Sequence, residues 1–422
     1  MIANCLGINE AGHLEISGCD TVRLAEQYGT PLYVMSEDEI RSVCRRYVAS
    51  FAKNYNGNGK PIYASKAFSC KEIYRIVLSE GLDVEVVSGG ELYTALQAGV
   101  PGSQIHFQGN NKSAGELTMA VENGVGDIVV DNLYELERLN AIAGEHSMVA
   151  PISFRIKPGI DAHTHEFIRT GQVDSKFGLD LASGEAMEHV AVKGLHCHIG
   201  SQILEKAPFV HAAEVMLQFY AKVRDELGMA FEHLNLGGGF GIHYTAQDDA
   251  IPYEEYMEDV SAMVHSTCEK LGLELPRIFI EPGRSIVGEA GITLYTVGSI
   301  KEIPGVRTYV AIDGGMFDNP RYALYQSAYT CCIANKASQP ADFTATIAGK
   351  CCESGDLIQE HTLIQKPEEG DILAVLSTGA YNYSMASNYN RNLKPACVMV
   401  SKGESRIVIK GETYEDLIRN DV

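Results

Sequence analysis

Eight short apolar segments, spaced by longer stretches of amphipathic pattern between about Pro61 and Ser285, predict an α/β protein built on a closed (β/α)8 barrel of the TIM type. Beyond Ser285 the pattern changes to strands without long helices, which predicts a β-rich C-terminal domain. A chain of 422 residues is too long for one ordinary core and agrees with a large domain plus a smaller one.

Taken in order, "GHLEI" and "PLYVMS" read as strands ahead of the first barrel helix, so residues 1–35 are expected to pack with the C-terminal domain. The barrel is expected over residues 36–285. Its strands are "PIYAS", "LDVEVVS", "QIHFQG", "DIVVDN", "ISFRIKP", "KGLHCHIGS", "HLNLGGG" and "IFIEPG", each ending at Ser, Gly, Asn or Pro. Helical pattern is clear within Glu205 to Gly228 and from Tyr253 to Leu271. Eight such repeats over this length favour a closed barrel over an open doubly wound sheet. In residues 286–422 the strands are "GITLYTVGSI", "TYVAID" and "ACVMVSKGESRIVIKG", separated by Gly, Pro and Asn turns. Neither a solenoid repeat nor a low-complexity segment interrupts this plan.

Hydrophobic residues at 45% and charged residues at 21% are the proportions of a soluble globular protein. A formal net charge of -21 repels phosphate backbones and anionic lipid, which argues against nucleic-acid and membrane partners and for a small-molecule enzyme. "MIANCLGINEAGHLEI" is broken by Asn4, Gly7 and Asn9, and no later apolar run spans a bilayer, so a cytoplasmic protein is expected. The 11 cysteines contain no C-x-x-C, and the neighbours Cys331/Cys332 and Cys351/Cys352 are badly placed to bridge each other. Reduced thiols, with no zinc ribbon and no disulfide framework, are expected.

Function in such a barrel sits at the C-terminal ends of the strands. Lys66 ends the first, Ser88 and Gly89 the second, His198 to Ser201 the sixth, Gly237 to Gly239 the seventh, and Glu281 to Arg284 the eighth. Each has a plain reading. Lys66 is a surface lysine; "LGGGFG" is a slack turn or an anion-holding backbone; "EPGR" is a mutual salt bridge at the rim. His196 and His198 share a face, which permits metal binding, core packing or a ring stacked on another ring, although no third ligand lies nearby in sequence. Cys352 reads as a buried thiol beside Glu353 in "CCESGD", and "NPRYALY" as a turn entering a helix. One cofactor uses the rim residues together. Pyridoxal phosphate needs an amine, a charge partner for its ring nitrogen and backbone amides for its phosphate; a lysine, a glutamate and a glycine-rich loop supply them.

With "LAEQYGTPLYV", "YASKA", "VVSGGEL", "SKFGL", "GLHCHIGSQI", "LNLGGGFG", "EPGRSIV", "CESGD" and "GAYNYSMASNYN" in this order, the chain resembles the fold-type III, alanine-racemase-like pyridoxal phosphate decarboxylases over nearly its whole length. The resemblance implies a homodimer with shared active sites. It implies that Lys66 holds the cofactor through a Schiff base, that His198 stacks on its ring and that Glu281 pairs with the ring nitrogen. By the same resemblance Ser201, Gly239 and the backbone of Gly283 and Arg284 bind phosphate. The side chains of Arg284, Arg321, Tyr325 and Glu353 hold the substrate, Tyr381 touches both substrate and cofactor, and Cys352 is the proton donor. The implied reaction converts meso-2,6-diaminopimelate into L-lysine and carbon dioxide. Ornithine, lysine and a carboxylated polyamine are the alternative substrates; an amino-acid racemase and a noncatalytic cofactor-binding protein are the alternative functions. Tyr322 stands where the family pattern has proline, and Lys157 where asparagine is commoner, which bears on substrate preference.

Overall fold

A computed structural model describes residues 3–159 and 188–422. The chain forms two compact units: one comprises Val43–Gly241 and Ala250–Gly283, the other Met1–Ser42, Ile242–Asp249 and Arg284–Val422.

In the first unit, strands β1 (Gly59–Ala64), β2 (Asp83–Val86), β3 (Ile105–Phe107), β4 (Asp127–Val130), β5 (Ala150–Arg155), β6 (Val190–His196), β7 (His233–Asn235) and β8 (Arg277–Ile280) close into a barrel. Every neighbouring pair is parallel. At the seam Gly59 lies beside Ile278, and a Cβ there would stand 2.3 Å from the Ile278 carbonyl oxygen, so glycine lets the ring close. Each of the eight expected strands overlaps an observed one.

Two of the expected strands, "LDVEVVS" and "DIVVDN", run past the observed ones, because their last polar residue, Ser88 or Asn132, caps the next helix. Ser88, Ser113 and Asn132 cap Gly89–Ala98, Ala114–Glu122 and Leu133–Glu145, each side chain accepting the backbone N–H three residues on. Such a cap is worth about 1 kcal/mol. It turns the chain out of the sheet at the barrel rim. The helices Ala207–Leu227 and Tyr253–Leu271 lie where the apolar periodicity placed them, and each ends at a glycine in the left-handed region, Gly228 and Gly272.

Side chains alternate along a strand, so residues two apart line one face. At the N-terminal rim this collects Lys60, Asp83, His106, Asp127, Ser153 and His233. Ser153 Oγ donates to Asp127 at 2.8 Å and meets His233 Nε2 at 2.8 Å, while His106 stands 3.6 Å from Asp83 and 3.7 Å from Asp127. Two residues further along the same strands, the inner face carries the C-terminal rim.

The second unit is β-rich. Gly291–Ile303 is its hub, pairing with Leu32–Ser36, Arg307–Ile312 and Ile372–Val375. Leu32–Ser36 also pairs with Ala396–Ser401, and all five of its residues are buried, as an apolar central strand requires. "GHLEI" contributes Leu14–Ile16 to a separate three-stranded sheet, whose Leu14 and Ile16 join Leu32, Val34, Leu294 and Val398 in one core. Among the described residues no helix is long and apolar enough to cross a membrane.

Candidate active site

The C-terminal rim of the barrel carries an amine and two buried carboxylates. Lys66 sits on the single turn Ser65–Ala67 that follows β1, and its Nζ lies 3.9 Å from Oε1 of Glu85 on β2. Glu281 follows β8. Its Oε1 accepts from Gln108 and, at 2.7 Å, from Asn235, and its Oε2 is 3.2 Å from His196 Nε2. Burial pushes the Glu281 carboxyl up, but His196 beside it, with His198 and Lys66, pulls it below the usual carboxylate range, so it is ionised at neutral pH. Glu85 goes the other way: burial raises it, and neither of its oxygens has a hydrogen-bond partner among the described residues.

His198 Nδ1 accepts the Gly238 N–H at 3.2 Å, which puts the proton of the neutral ring on Nε2. Burial, then Lys66 and Arg155, hold this ring well below an ordinary histidine, so it is uncharged. The glycine run is not slack. A Cβ on Gly237 would meet the Cys197 carbonyl at 2.4 Å, one on Gly238 the Glu281 carbonyl at 2.0 Å, and one on Gly239 the Gly200 carbonyl at 2.4 Å. A Cβ on Gly283 would stand 2.9 Å from the Ala64 carbonyl oxygen, and half-buried Ser201 follows Gly200. The result is a rim of bare backbone of the kind that binds an anion.

Within the β-rich unit, Arg284 opens the helix Arg284–Val287, donates to the Tyr244 hydroxyl and lies 4.7 Å over the Tyr381 ring. Arg321 opens Arg321–Tyr325, donates to the Tyr329 hydroxyl at 2.8 Å and lies 4.9 Å over the Tyr244 ring. Tyr381 holds φ at +64°, a conformation rare for a side chain of this size. Tyr325 is half-buried. Tyr322, the proline replacement, donates to Glu360, which also takes Arg307 at 2.7 Å, so the helix carrying Arg321 is tied to the strand Leu357–Ile364. Lys157 is half-buried just past β5.

Cys352 and Glu353 are the two exposed members of the expected site; the rest are buried or half-buried. The reading of Cys352 as a buried thiol does not hold. Cys351 is the buried one, its thiol pushed up to about 12 by burial with Asp356 adding to it. Asp356 accepts the N–H of Cys351 at 2.7 Å and of Met316 at 2.6 Å, and Asn390 accepts the N–H of Cys352 at 2.6 Å, which fixes this loop.

Residues 37–288 match the family model for the pyridoxal-dependent decarboxylase, pyridoxal binding domain. The chain is 49% identical to the diaminopimelate decarboxylase of Bacillus subtilis (strain 168), over 98% of this chain and 96% of that protein. It is 46% identical to that of Staphylococcus aureus (strain COL), over 98% of each. The crystal structure of diaminopimelate decarboxylase from M. jannaschii in co-complex with L-lysine superposes with a TM-score of 0.91 at 36% identity, covering 100% of this chain and 98% of the other. The chain belongs to the diaminopimelate decarboxylase family.

The cofactor of a diaminopimelate decarboxylase is pyridoxal phosphate, and the barrel rim of this chain fits it. It offers an amine on Lys66, an ionised buried carboxylate on Glu281, and glycine backbone that no larger residue could replace. Among the described residues no cluster suits a metal ion; His196 is bound to Glu281 and His198 to the Gly238 amide. The "SKFGL" motif lies outside the described residues.

Glu85, Gln108, Arg155 and Asn235 were missed by sequence reasoning, although a signal existed. Asp83/Glu85, His106/Gln108, Ser153/Arg155 and His233/Asn235 are polar pairs two apart in otherwise apolar strands, which marks the inner face of a barrel. Tyr244 gave no local signal, because its partners Arg284 and Arg321 come from distant parts of the chain, and Tyr329 lies beyond the turn that ends the Arg321 helix.

Proposed function

We propose that this diaminopimelate decarboxylase removes carbon dioxide from the D-centre of meso-2,6-diaminopimelate to leave L-lysine, the last step of lysine biosynthesis. The observation that carries the reading is Arg321. It is buried, its partners are Tyr329 and the Tyr244 ring, and no ion pair forms to it among the described residues. A buried guanidinium held by neutral groups favours an anion, and a substrate carrying a distal carboxylate supplies one through parallel hydrogen bonds. Ornithine and lysine do not.

Lys66 binds the cofactor, His198 packs on its ring as a neutral imidazole, and Glu281 keeps a proton on the ring nitrogen. Ser201, Gly239, Gly283 and the Arg284 backbone bind phosphate. Pyridoxal phosphate supplies the electron sink for the charge left when carbon dioxide departs. Arg284, Arg321 and Tyr325 orient the substrate, Glu353 takes its distal ammonium, Tyr381 contacts both substrate and cofactor, and Cys352 delivers a proton to the carbon that lost carbon dioxide. Exposure of Cys352 and Glu353 supports a homodimer in which these two residues serve the partner's site. The same reading treats residues 36–285 as the cofactor-binding barrel and residues 1–35 with 286–422 as the second domain. All 11 cysteines are free, which supports a reducing, cytoplasmic location.

The test is incubation with pyridoxal phosphate and, separately, meso-2,6-diaminopimelate, ornithine and lysine, measuring carbon dioxide and identifying the amine. L-lysine from diaminopimelate alone is expected. Release from ornithine but not diaminopimelate overturns the assignment.

A further inference from the structure

Glu85 has no part in the roles above, yet among the described residues no other carboxylate at the barrel rim has both oxygens buried without a hydrogen-bond partner. Glu281 is held by Gln108, Asn235 and His196. Glu91 accepts from Ser65 Oγ at 2.6 Å and from the Val87 N–H at 2.8 Å. Glu135 accepts from Lys112 at 2.7 Å. Glu85 is as deeply buried as any of these, and among the described residues both of its oxygens lack a donor. A buried carboxylate without donors is expensive to keep ionised, and such a carboxyl ties no elements together, so a purely structural role leaves it unexplained. What it does have is Lys66 Nζ at 3.9 Å.

We propose that Glu85 is the acid–base partner of the Lys66 amine, an inference that rests on Lys66 being the cofactor lysine. While Lys66 is bonded to the cofactor, Glu85 keeps its proton. When the substrate amine takes the place of Lys66, the bond from Lys66 Nζ to the cofactor breaks, and the released amine takes the Glu85 proton, leaving an ammonium and a carboxylate. On the return the carboxylate takes the proton back, freeing the Nζ lone pair to form the bond again as product leaves. Between displacement and return the Lys66–Glu85 pair itself neither gains nor loses a proton.

The surroundings suit a proton that moves both ways. Lys66 from the turn after β1 and Arg155 at the end of β5 favour the charged form of Glu85, while Glu281 after β8 and Glu91 on the helix after β2 oppose it. Burial tips this balance to the neutral acid, and a new ammonium at Lys66 tips it back. The polar pairing with Asp83 along β2 places Glu85 on the inner face.

The experiment uses holoenzyme of the wild type, Glu85→Gln and Glu85→Asp. Borohydride reduction first maps the cofactor to a peptide; label on a lysine other than Lys66 removes the premise and is thereby distinguished from failure of the Glu85 role. Each protein is then mixed rapidly with L-lysine, and displacement of Lys66 is followed by cofactor absorbance across pH. Glu85→Gln should retain cofactor and melting temperature but slow displacement by about 10²-fold and flatten its pH profile, with Glu85→Asp partly restoring both. Displacement by Glu85→Gln at the wild-type rate and with the wild-type pH profile overturns the proposal. Infrared spectra supply the second measurement: a neutral carboxyl band should be present in wild type and missing in Glu85→Gln, and its absence from wild type also overturns it.

Discussion

Replacing Asp127 with Asn should destabilise the barrel in a way that fades with rising pH. Asp127 is buried at the N-terminal rim, accepts from Ser153 at 2.8 Å and lies 3.4 Å from His233 and 3.7 Å from His106. Burial pushes His106 down, but Asp127 and Asp83 overcome it and raise the ring from 6.5 to about 9. That rise corresponds to roughly 3 kcal/mol favouring the charged ring, since each pH unit is about 1.4 kcal/mol. Two carboxylates share it, so losing one charge should cost about 1–2 kcal/mol, with the contact distances favouring the lower figure. Because His106 is raised on folding, its contribution is complete below 6.5 and disappears as the pH climbs through about 9. Burial pushes Asp127 itself up, but His106 and His233 beside it hold it well below the usual range, so it stays ionised throughout and loses its cationic partner at high pH. Differential scanning fluorimetry at pH 6 and pH 10 should show a melting temperature lower by roughly 3–6 °C at the first and a much smaller or reversed difference at the second. An equal loss at both pH values would refute the charge argument and leave only a packing defect.

Other outcomes follow from the roles proposed for the site. Glu281→Gln keeps size but removes the negative charge, so turnover should fall by about 10²-fold or more with cofactor still bound; unchanged turnover where chemistry limits the rate would count against it. Arg321→Ala should lower kcat/KM for diaminopimelate by about 2–5 kcal/mol of binding energy with pyridoxal phosphate content unaffected, and equal loss of both would indicate misfolding through the Tyr322–Glu360 tie. Cys352→Ala should slow turnover severely, while Cys351→Ala should be mild because that thiol is buried and held high. Mixing inactive Lys66→Ala with inactive Cys352→Ala under demonstrated subunit exchange should restore activity, because one site of the mixed dimer carries neither change. No recovery would place the two residues in the same subunit's site.

The barrel was legible because each strand is an apolar run closed by a turn or cap residue, and the two long helices because their apolar period and terminal glycines agree. Where strand ends were drawn too long, at "LDVEVVS" and "DIVVDN", the last residue was serving the following helix as a cap. The motifs of the rim were legible as chemistry but not as geometry. His196 and His198 look alike in "HCHIGS", yet one bonds Glu281 and the other takes a backbone N–H, a difference set by which strand lies opposite. The polar pairs two apart along β2, β3, β5 and β7 held the information that Glu85, Gln108, Arg155 and Asn235 face inward. Nothing local in "GIHYT" could bring Tyr244 to Arg284 and Arg321; those contacts depend on the long-range packing of the β-rich unit.

The account of the site turns on Lys66, and the measurement that addresses it most directly is the mass of the cofactor-bearing peptide after borohydride treatment of the purified holoenzyme. Reduced cofactor should be found on the peptide containing Lys66, and Lys66→Ala should lose both the label and the visible absorbance. Reduced cofactor on any other lysine, or its retention in Lys66→Ala, would contradict the account.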